Sequence, residues 1–561
     1  MGAANEIPWW KRTTVYQVYP RSFADANGDG IGDLQGLIDR LDYLHDLGVE
    51  TLWLSPFYRS PQADFGYDIS DHFDVSPEYG TREDVRRLID AVHARGMKIV
   101  FDMVLNHTSD QHPWFVESRG ARSGPKRDYY LWRDGARPGG KAPPNNWRSM
   151  LGGSGWHYDE ATEQWYWASF LPFQPDLNYR NPEVKRAMLD VVRHWFAEGV
   201  DGFRLDIFNA IYKDASFADN PFSLRPLPSE DNPHGFFQRH VHTIDHPDTI
   251  AFARELRAVA EEFSDPPRFL VGEVFGDAQT LRRYCGEEAD GLHLVFLFQT
   301  LRTRLRGASV RALIRAFEHA FPDPYVPTYV FGNHDRPRLA HKLDGCPDKA
   351  KLLATLQLTA RGVPFIYYGE EIGMGNHDIP LDEGRDPVAA RYRFVPGWLA
   401  RYLRRHGILM NRDECRAPMQ WHHGPNAGFA PEHASPWLPV HPGHAEVNVA
   451  AQEGDPASLL NCYRSLLRLR RERPALHGGG LVLLDEPGLP RDVVAYRRAH
   501  EDGARREDVD VFLNFGDRPR VLDLSAHRGR AAFSSLRCAI AAPDAAHTLA
   551  PHEGLVLFDP T

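Results

Sequence analysis

GVDGFRLDIFN, residues 199–209, decides the fold that this sequence predicts. Apolar side chains alternate through it, which is typical of a short strand buried on both faces. Arg204 and Asp206 are two residues apart, so on an extended chain both side chains point to the same side. The guanidinium would keep the Asp206 carboxylate ionised and available as a nucleophile. A buried structural ion pair is the alternative that these two residues leave open.

Seven further strand-like runs lie along the chain, and helix-like segments separate them. With the first run they make eight candidate strands: 14–20, 48–56, 97–107, 199–209, 268–275, 291–298, 328–335 and 363–371. The helix-like segments include 34–48, 81–96 and 181–199. Asn181 is a candidate N-cap for the last of these, with Pro182 at its first position. Eight such βα units predict a TIM (β/α)8 barrel, in which the chemistry lies at the carboxyl ends of the strands.

Two stretches interrupt the barrel repeat, and a third follows it. We assign residues 1–107 and 179–476 to the barrel, with an irregular insertion at about 372–453. Residues 108–178, after the third strand, are too long for one crossover and predict an inserted lid domain. Residues 477–561 alternate short β-like runs with turn residues and predict a C-terminal antiparallel β-sandwich.

The composition limits the partners and the compartment. The chain has 561 residues and a net charge of −11, which argues against nucleic acid or an anionic membrane as partner. Its five cysteines form no CxxC pair, which favours a reducing compartment without a disulfide framework. The first residues carry no apolar signal core, and no apolar run reaches about 18 residues. We therefore predict a cytoplasmic protein that does not enter the membrane.

DANGDGIGD, residues 25–33, is a candidate cation loop. Its oxygen-bearing side chains, spaced by glycines, could wrap around a hard cation such as Ca²⁺. The loop is not a complete EF-hand, because Gly36 stands where that motif requires Glu. A tight loop closed by Asx turns without metal remains the alternative.

Further polar residues stand on the candidate barrel strands, at their ends, or in the loops that follow them. They are Tyr67, Asp68, Asp102, His107, Glu273, His334 and Asp335. Each alone has a structural alternative, such as capping a helix. Together, three carboxylates (Asp206, Glu273, Asp335) and two histidines (His107, His334) at strand ends would converge on one pocket.

The order and spacing of these motifs resemble a known family. DMVLNH (102–107), GFRLDIFN (202–209), GEVF (272–275) and FGNHD (331–335) resemble the four signature regions of the α-amylase superfamily of glycoside hydrolases. Its α-glucosidase and oligo-1,6-glucosidase branch is indicated by QPDLN (174–178), GVPFIYYGEEIGM (362–374) and NRDECRAPMQW (411–421). The resemblance covers nearly the whole chain.

The resemblance implies a role for each site residue. Asp206 is expected to be the nucleophile, Glu273 the general acid/base, and Asp335 the residue that orients and helps distort the sugar. Arg204, His107 and His334 would contact sugar hydroxyls at the −1 subsite, with Asp102 as a structural anchor. The ligands of a structural Ca²⁺ would be Asp25, Asn27, Asp29, the backbone of Ile31, and Asp33.

The implied activity is that of a retaining, exo-acting α-glucosidase that acts on short oligosaccharides or disaccharides. Retention requires two carboxyl groups about 5 Å apart and no cofactor. Burial beside apolar residues and nearby carboxylates would keep Glu273 protonated. Asp68, beside Tyr67, would pair with Arg412 to close the pocket behind the non-reducing sugar. A surface ion pair with Asp413 is the alternative for Arg412.

Ile207 is the candidate determinant of linkage preference. In the resembling enzymes this position borders the +1 subsite, and a Val there accompanies preference for α-1,6 bonds. Isoleucine is closer to Val than to Ala or Thr, so we expect an α-1,6 preference. The alternative is that Ile207 is simply a barrel residue whose branching suits a strand.

Three other functions remain open at this point. A transglycosidase of the same superfamily, such as a sucrose isomerase or α-glucosyltransferase, shares the covalent intermediate but transfers glucose to a sugar. A maltase would prefer α-1,4 bonds. A catalytically silent barrel serving as a scaffold is disfavoured, because all three carboxylates are present. The oligomeric state is left open by the sequence.

Overall fold

A computed structural model describes residues 7–137, 140–405, 408–485, 489–503, 505–527, 530–537 and 544–559. Eight of its strands, named β1 to β8 in chain order, are Val15–Val18, Thr51–Leu54, Lys98–Met103, Gly202–Leu205, Phe269–Gly272, Leu294–Val295, Thr328–Val330 and Val363–Tyr367. They form one sheet in the order β6-β5-β4-β3-β2-β1-β8-β7. Each strand lies inside one of the eight predicted runs, and the sequential order is that of a (β/α)8 barrel. The predicted fold class is therefore confirmed.

The chain divides into two compact units. The first unit comprises Met1–Leu52, Ala91–Met97 and Leu297–Thr561, and the second comprises Trp53–Asp90 and Lys98–Phe296. Strands β1, β7 and β8 belong to the first unit, and β3 to β6 belong to the second. These units do not test the predicted domain boundaries, which stay a prediction.

The register of the second unit's strands positions charged residues side by side. Strands β3 and β4 are parallel, and Asp102 stands opposite Arg204. Strands β4 and β5 are also parallel, with Arg204 opposite Val271. The chain continues from β4 into Asp206 and from β5 into Glu273, so both carboxylates follow neighbouring strands at their carboxyl ends.

Helices alternate with the strands. The described α-helices are Trp9–Arg12, Leu34–Asp39, Leu41–Leu47, Arg82–Ala94, Pro113–Arg119, Pro182–Ala197, Pro247–Glu261, Ala278–Tyr284, Gln299–Arg302, Gly307–Ala320, Leu339–Lys342, Pro347–Thr359, Pro387–Arg391, Gly397–Arg405, Val449–Glu453, Leu459–Glu472 and Pro474–His477. Asn181 caps the helix before β4 as predicted, since its side chain accepts a hydrogen bond from the Glu183 amide at 2.9 Å. That helix buries an apolar stripe that includes Met188 and Trp195.

The stretch predicted as a lid lies in the second unit. Its strands are Trp132–Arg133, Trp156–Asp159 and Gln164–Trp167, which form a three-stranded antiparallel sheet. Four tryptophans and a leucine make its apolar core: Leu131, Trp147, Trp156, Trp165 and Trp167. A short hairpin nearer the start of the same unit pairs Tyr58–Arg59 with Asp71–Val75.

The last part of the chain is antiparallel, as predicted. One sheet has five strands in the order Gly480–Leu483, Val493–Asp502, Arg505–Asn514, Gly554–Phe558 and Ala531–Ser534. A second sheet pairs Arg520–Asp523 with Ala546–Leu549. Residues of both sheets, including Phe512, Leu522, Leu549 and Leu557, share one apolar core. This packing explains the alternation of apolar and polar residues in the sequence.

Two further expectations concern membranes and cysteines. Among the described residues, every helix is too short or too polar to span a lipid bilayer. Cys285, Cys346, Cys415 and Cys462 form no disulfide bond in the described part of the chain. Cys538, the fifth cysteine of the sequence, lies outside the described residues.

Candidate active site

Arg204 is the centre of the candidate site in the second unit. Its Nη1 donates to Asp206 Oδ1 at 2.7 Å and to Asp102 Oδ1 at 2.8 Å. Its Nη2 donates to Glu273 Oε2 at 2.5 Å. All four side chains are buried, so one guanidinium organises three carboxylates away from bulk water. The predicted nucleophile and the predicted acid/base are thereby held on the same cation.

The charges of this group depend on one another. Burial alone would lower the pKa of Arg204. The neighbouring carboxylates of Asp102 and Glu273 outweigh burial, so the pKa of Arg204 lies well above its ordinary value. Burial raises the pKa of Asp102 to about 6, although Arg204 acts in the opposite direction. Removing Arg204 would take away the cation that the three buried carboxylates share, which is costly in a low-dielectric interior.

Asp102 anchors Arg204 from the neighbouring strand. The Trp53 indole Nε1 and the Tyr67 hydroxyl both donate to Asp102 Oδ2, at 3.2 Å and 3.1 Å. The other oxygen, Asp102 Oδ1, accepts from Arg204. The parallel register of β3 and β4 places these two residues opposite each other. This arrangement agrees with the anchoring role that the resemblance implies for Asp102, and it gives Tyr67 a contact with the same group.

Ile207 adopts an uncommon backbone conformation directly after Asp206. Its φ and ψ are 39° and 46°, in the left-handed region, which disfavours β-branched residues. The Ile207 amide donates to Glu273 Oε2 at 3.2 Å. Strain of this kind costs about 1–3 kcal/mol and is typical of functional sites. Because β4 ends at Leu205, Ile207 lies beyond the strand, and the alternative that it is an ordinary strand residue is not supported.

Asp68 and His107 are both buried and hydrogen-bonded within the second unit. Asp68 accepts from the Ser60 hydroxyl and from the amides of Ala63 and Asp64, each at 2.9 Å. Burial raises the pKa of Asp68 to about 6. The His107 Nε2 donates to the Tyr67 carbonyl at 3.1 Å, and burial lowers the pKa of His107.

Asp335 is the centre of a second group, which lies in the first unit. Its Oδ1 accepts from Arg416 Nη2 at 2.9 Å and from Arg412 Nη1 at 3.3 Å. The His334 Nε2 lies 3.2 Å from Asp335 Oδ2. The Asp335 side chain is 29% exposed, more than those of Asp206 at 12% and Glu273 at 7%.

Arg412 is held in place by a buried carboxylate. Its Nη2 donates to Asp386 Oδ1 at 2.7 Å, and its Nε contacts both Asp386 oxygens at 3.1 Å. Burial alone would raise the pKa of Asp386. The Arg412 guanidinium outweighs burial, so the pKa of Asp386 lies below its ordinary value. Asp413, the alternative partner, instead accepts from the backbone amides of Arg385 and Asp386. The predicted pairing of Arg412 with Asp68 involves residues of different units and stays a prediction.

The cation loop closes on its own backbone. Asp25 accepts from the amides of Gly28 and Gly30, and Asp33 accepts from those of Ala26, Asn27 and Gly36. Asn27 and Asp29 accept from the amides two residues on, as in Asx turns. Among the described residues, no three His, Cys, Asp or Glu side chains form a group that could hold a metal.

The family of this chain follows from its similarity to known proteins. The family described as "Alpha amylase, catalytic domain" matches residues 17–479, which is most of the sequence. The chain belongs to the α-amylase family. It is thus a glycoside hydrolase, an enzyme, as the four motifs imply.

Relatives and solved structures of the α-amylase family match the chain over nearly its whole length. A probable α-glucosidase of Rhizobium meliloti (strain 1021) is 40% identical over 533 residues, covering 93% of this chain and 92% of the relative. An oligo-1,6-glucosidase of Heyndrickxia coagulans is 38% identical over 508 residues, covering 86% of this chain and 89% of the relative. The α-glucosyl transfer enzyme XgtA matches with a TM-score of 0.87 at 36% identity, covering 99% of this chain and 100% of XgtA. Trehalulose synthase MutB from Pseudomonas mesoacidophila MX-45 matches with a TM-score of 0.85 at 34% identity, covering 99% of this chain and 100% of MutB.

Arg416 is a residue of this α-amylase family site that the sequence argument missed. It is fully buried, and its Nε donates to the His334 carbonyl at 2.8 Å while its Nη2 reaches Asp335. The sequence does contain the signal, because NRDECR carries two arginines four residues apart and only the first was used. Asp386 was also missed, since nothing in its local sequence distinguishes it from other aspartates.

Proposed function

We propose that this α-amylase family enzyme is a retaining, exo-acting α-glucosidase that releases glucose from the non-reducing ends of short α-glucosides. The observation that carries the proposal is the contact of Arg204 with both Asp206 and Glu273. Asp206 and Glu273 directly follow the adjacent strands β4 and β5. Because the Arg204 guanidinium contacts both carboxylates, it fixes the spacing between them. Retaining glycosidases need such a pair on either side of the bond that is cleaved.

In the first step, Asp206 attacks the anomeric carbon and Glu273 gives its proton to the leaving oxygen. Arg204 keeps Asp206 ionised, because its Nη1 donates to the attacking carboxylate. Glu273 Oε2 accepts from both Arg204 and the Ile207 amide, so the transferable proton belongs on Oε1.

In the second step, Glu273 takes a proton from water, and the resulting hydroxide attacks the glucosyl–Asp206 ester with retention of configuration. We assign Asp335 to the sugar hydroxyls, since it is the most exposed of the three carboxylates and two arginines fix its position. Carboxyl groups perform both steps, and no cofactor is required.

Exo action is tested by the products of chain cleavage. We expect glucose to be released one unit at a time from malto-oligosaccharides, with no shorter chains from internal cleavage. Arg412→Ala should loosen this selectivity, because it removes the guanidinium that Asp386 holds beside Asp335. Chromatography of early products from soluble starch is the measurement. Internal fragments produced by the wild-type enzyme would refute a closed pocket.

A transglycosidase is the second candidate, because two of the matching structures are described as an α-glucosyl transfer enzyme and a trehalulose synthase. Such an enzyme forms the same intermediate but passes glucose to a sugar. Product analysis at high substrate concentration separates the two functions. Free glucose as the main product supports hydrolysis, and isomerised or lengthened sugars support transfer.

Linkage preference should respond to Ile207. The Ile207 side chain is buried beside Ala210 and Ile244, directly after the proposed nucleophile. Its branching would narrow the space for an incoming acceptor sugar. We expect a preference for isomaltose over maltose, and expect Ile207→Ala to shift the rate ratio toward maltose by roughly ten- to two-hundred-fold. Ile211→Ala, which removes a buried side chain four residues later, is the matched control and should leave the ratio unchanged. A wild-type enzyme that prefers maltose would contradict the α-1,6 assignment.

A structural Ca²⁺ in the loop 25–33 is part of the proposal, with Asp25, Asn27, Asp29, the Ile31 carbonyl and Asp33 as ligands. The all-oxygen donor set suits a hard cation, and bound Ca²⁺ would fix the loop without entering the chemistry. Chelation should lower the melting temperature far more than the initial rate. The stabilisation amounts to about 2.7 kcal/mol when free metal is about 100 times the Kd.

The matched variant for the metal test is Asp29→Asn. Its amide oxygen can still accept from the Ile31 amide, so the loop keeps its turn but loses one negative charge. The chelator effect should therefore shrink in this variant. Equal melting curves with and without chelator in the wild type, and no metal on elemental analysis, would favour the metal-free Asx-turn loop.

We further propose that the enzyme works in the cytoplasm on small sugars. The four described cysteines form no disulfide bond, and the sequence carries no CxxC pair, which supports a reducing compartment. The net charge of −11 is unfavourable for nucleic acid or an anionic membrane surface. Cell fractionation of the native host tests the location.

A further inference from the structure

A second cleft lies within the second unit, between the lid stretch and the long loop that follows β4. Its volume is about 470 Å³, which is within the range of small-molecule sites. The lid contributes residues between 143 and 154, and the loop contributes residues between 220 and 238. None of Asp206, Glu273 and Ile207 lines it.

Hydrogen bonds between the two segments build the cleft in advance. The Asn146 side chain holds the backbone of Asn220, because its Nδ2 donates to the Asn220 carbonyl at 2.9 Å and its Oδ1 accepts from the Asn220 amide at 2.8 Å. The Gln238 side chain accepts from the Arg148 amide at 3.2 Å and donates to the Asn146 carbonyl at 2.5 Å. The Trp147 indole donates to the Ala218 carbonyl at 2.8 Å. The walls are therefore fixed before any ligand arrives.

Two side chains of the cleft, Arg148 and Asn220, have hydrogen-bond donors that a ligand could use. Within the described part of the chain, no hydrogen bond or salt bridge involves the guanidinium of Arg148, which is exposed at the cleft. Asn220 is 2% exposed, and its Nδ2 has no hydrogen-bond partner among the described residues. A buried amide without a partner is costly, and a ligand oxygen would relieve that cost.

Two aromatic side chains face solvent at the same cleft. Phe222 is 69% exposed and Phe237 is 50% exposed, and both line it. Phe236 and Phe237 have φ values of 52° and 62°, a left-handed conformation that bulky residues rarely adopt. The loop therefore maintains an unfavourable backbone while presenting an apolar ring to water, which is a pattern typical of ligand sites.

We propose that this cleft is a non-catalytic binding site for a pyranose unit of an α-glucoside oligosaccharide. A sugar ring offers an apolar C–H face for Phe222 and Phe237, and hydroxyl oxygens that accept from Arg148 and Asn220. The choice of α-glucosides rests on the proposed function, while the existence of the site does not. The cleft would hold a second part of a longer substrate, or a second molecule, on the enzyme.

The test is a calorimetric titration of the wild-type enzyme with isomaltotriose whose glycosidic oxygens are replaced by sulfur, so that it is not hydrolysed. We expect two equivalents bound per chain. Arg148→Ala combined with Phe222→Ala should weaken the second equivalent about tenfold or more, which corresponds to about 1.4 kcal/mol. Both side chains are exposed, so the fold should not depend on them.

The control variant is Leu224→Ala, since Leu224 lies on the same loop, is 85% exposed and does not line the cleft. It should retain both equivalents. Hydrolysis of an aryl glucoside, and its competitive inhibition by the thio-sugar, should be unchanged in every variant. A single equivalent in the wild type, or a second equivalent that survives Arg148→Ala with Phe222→Ala, would overturn the proposal. Loss of competitive inhibition alone would count against the proposed function instead.

Discussion

Replacing Asp206 with alanine is expected to lower turnover by about 10⁴-fold or more while the protein stays folded. The carboxylate would form the covalent bond to glucose, so no other group substitutes for it. The fold should survive because Arg204 keeps Asp102 and Glu273 as partners after Asp206 is removed. Stopped assays with an aryl glucoside, together with a thermal unfolding curve, measure both quantities.

Asp201→Ala is the matched control for this variant. Asp201 lies just before β4, at the opposite end from Asp206, and accepts from the Ile99 amide at 2.9 Å. It also forms a salt bridge with Lys98 at 3.1 Å. Its loss should lower the melting temperature without lowering turnover per folded molecule. Near-normal turnover in Asp206→Ala would refute the assignment of the nucleophile.

Glu273→Gln is expected to separate good leaving groups from poor ones. Turnover of natural disaccharides should fall by about 10²–10⁴-fold, because their leaving oxygen needs a proton that glutamine cannot supply. Cleavage of an activated aryl glucoside should be retained in its first step. The amide oxygen can still accept from Arg204 and Ile207, so the geometry around the variant side chain should be preserved.

The two classes of substrate must be compared on the same preparation. Rapid-mixing assays should show a burst of aryl leaving group, since the missing base slows the second step. Asp335→Asn serves as the comparison, because Asp335 is assigned to the sugar and should affect both substrates alike. An equal loss on aryl glucosides and disaccharides in Glu273→Gln would contradict the acid role.

Much of the fold could be predicted because its determinants are local. Each barrel strand lies in a short, mostly apolar run, and the carboxylates Asp206 and Glu273 directly follow two of the strands. Arg204 and Asp206 were found together for this reason, as a two-residue spacing places both on one side of a strand. The parallel register then brings Asp102 opposite Arg204, which the sequence could only suggest through the family resemblance.

What could not be predicted depends on contacts between distant segments. The contact of Arg412 with the buried Asp386 was not expected, because Asp386 lies in an irregular insertion without periodicity, while the pairing of Arg412 with Asp68 stays a prediction. The left-handed backbone of Ile207 also has no sequence signal, since isoleucine disfavours it. The second cleft joins segments about 70 residues apart, and its hydrogen bonds run between backbone and amide groups that any loop contains.

The most direct test of the central claim is to trap the covalent intermediate. Glu273→Gln, mixed with an aryl α-glucoside and quenched with acid, should accumulate enzyme that carries one glucosyl group. Peptide mass spectrometry should locate that group on Asp206, and the glucose that the wild type releases should be the α anomer. A glucosyl group on another residue, or release of the β anomer, would contradict the account.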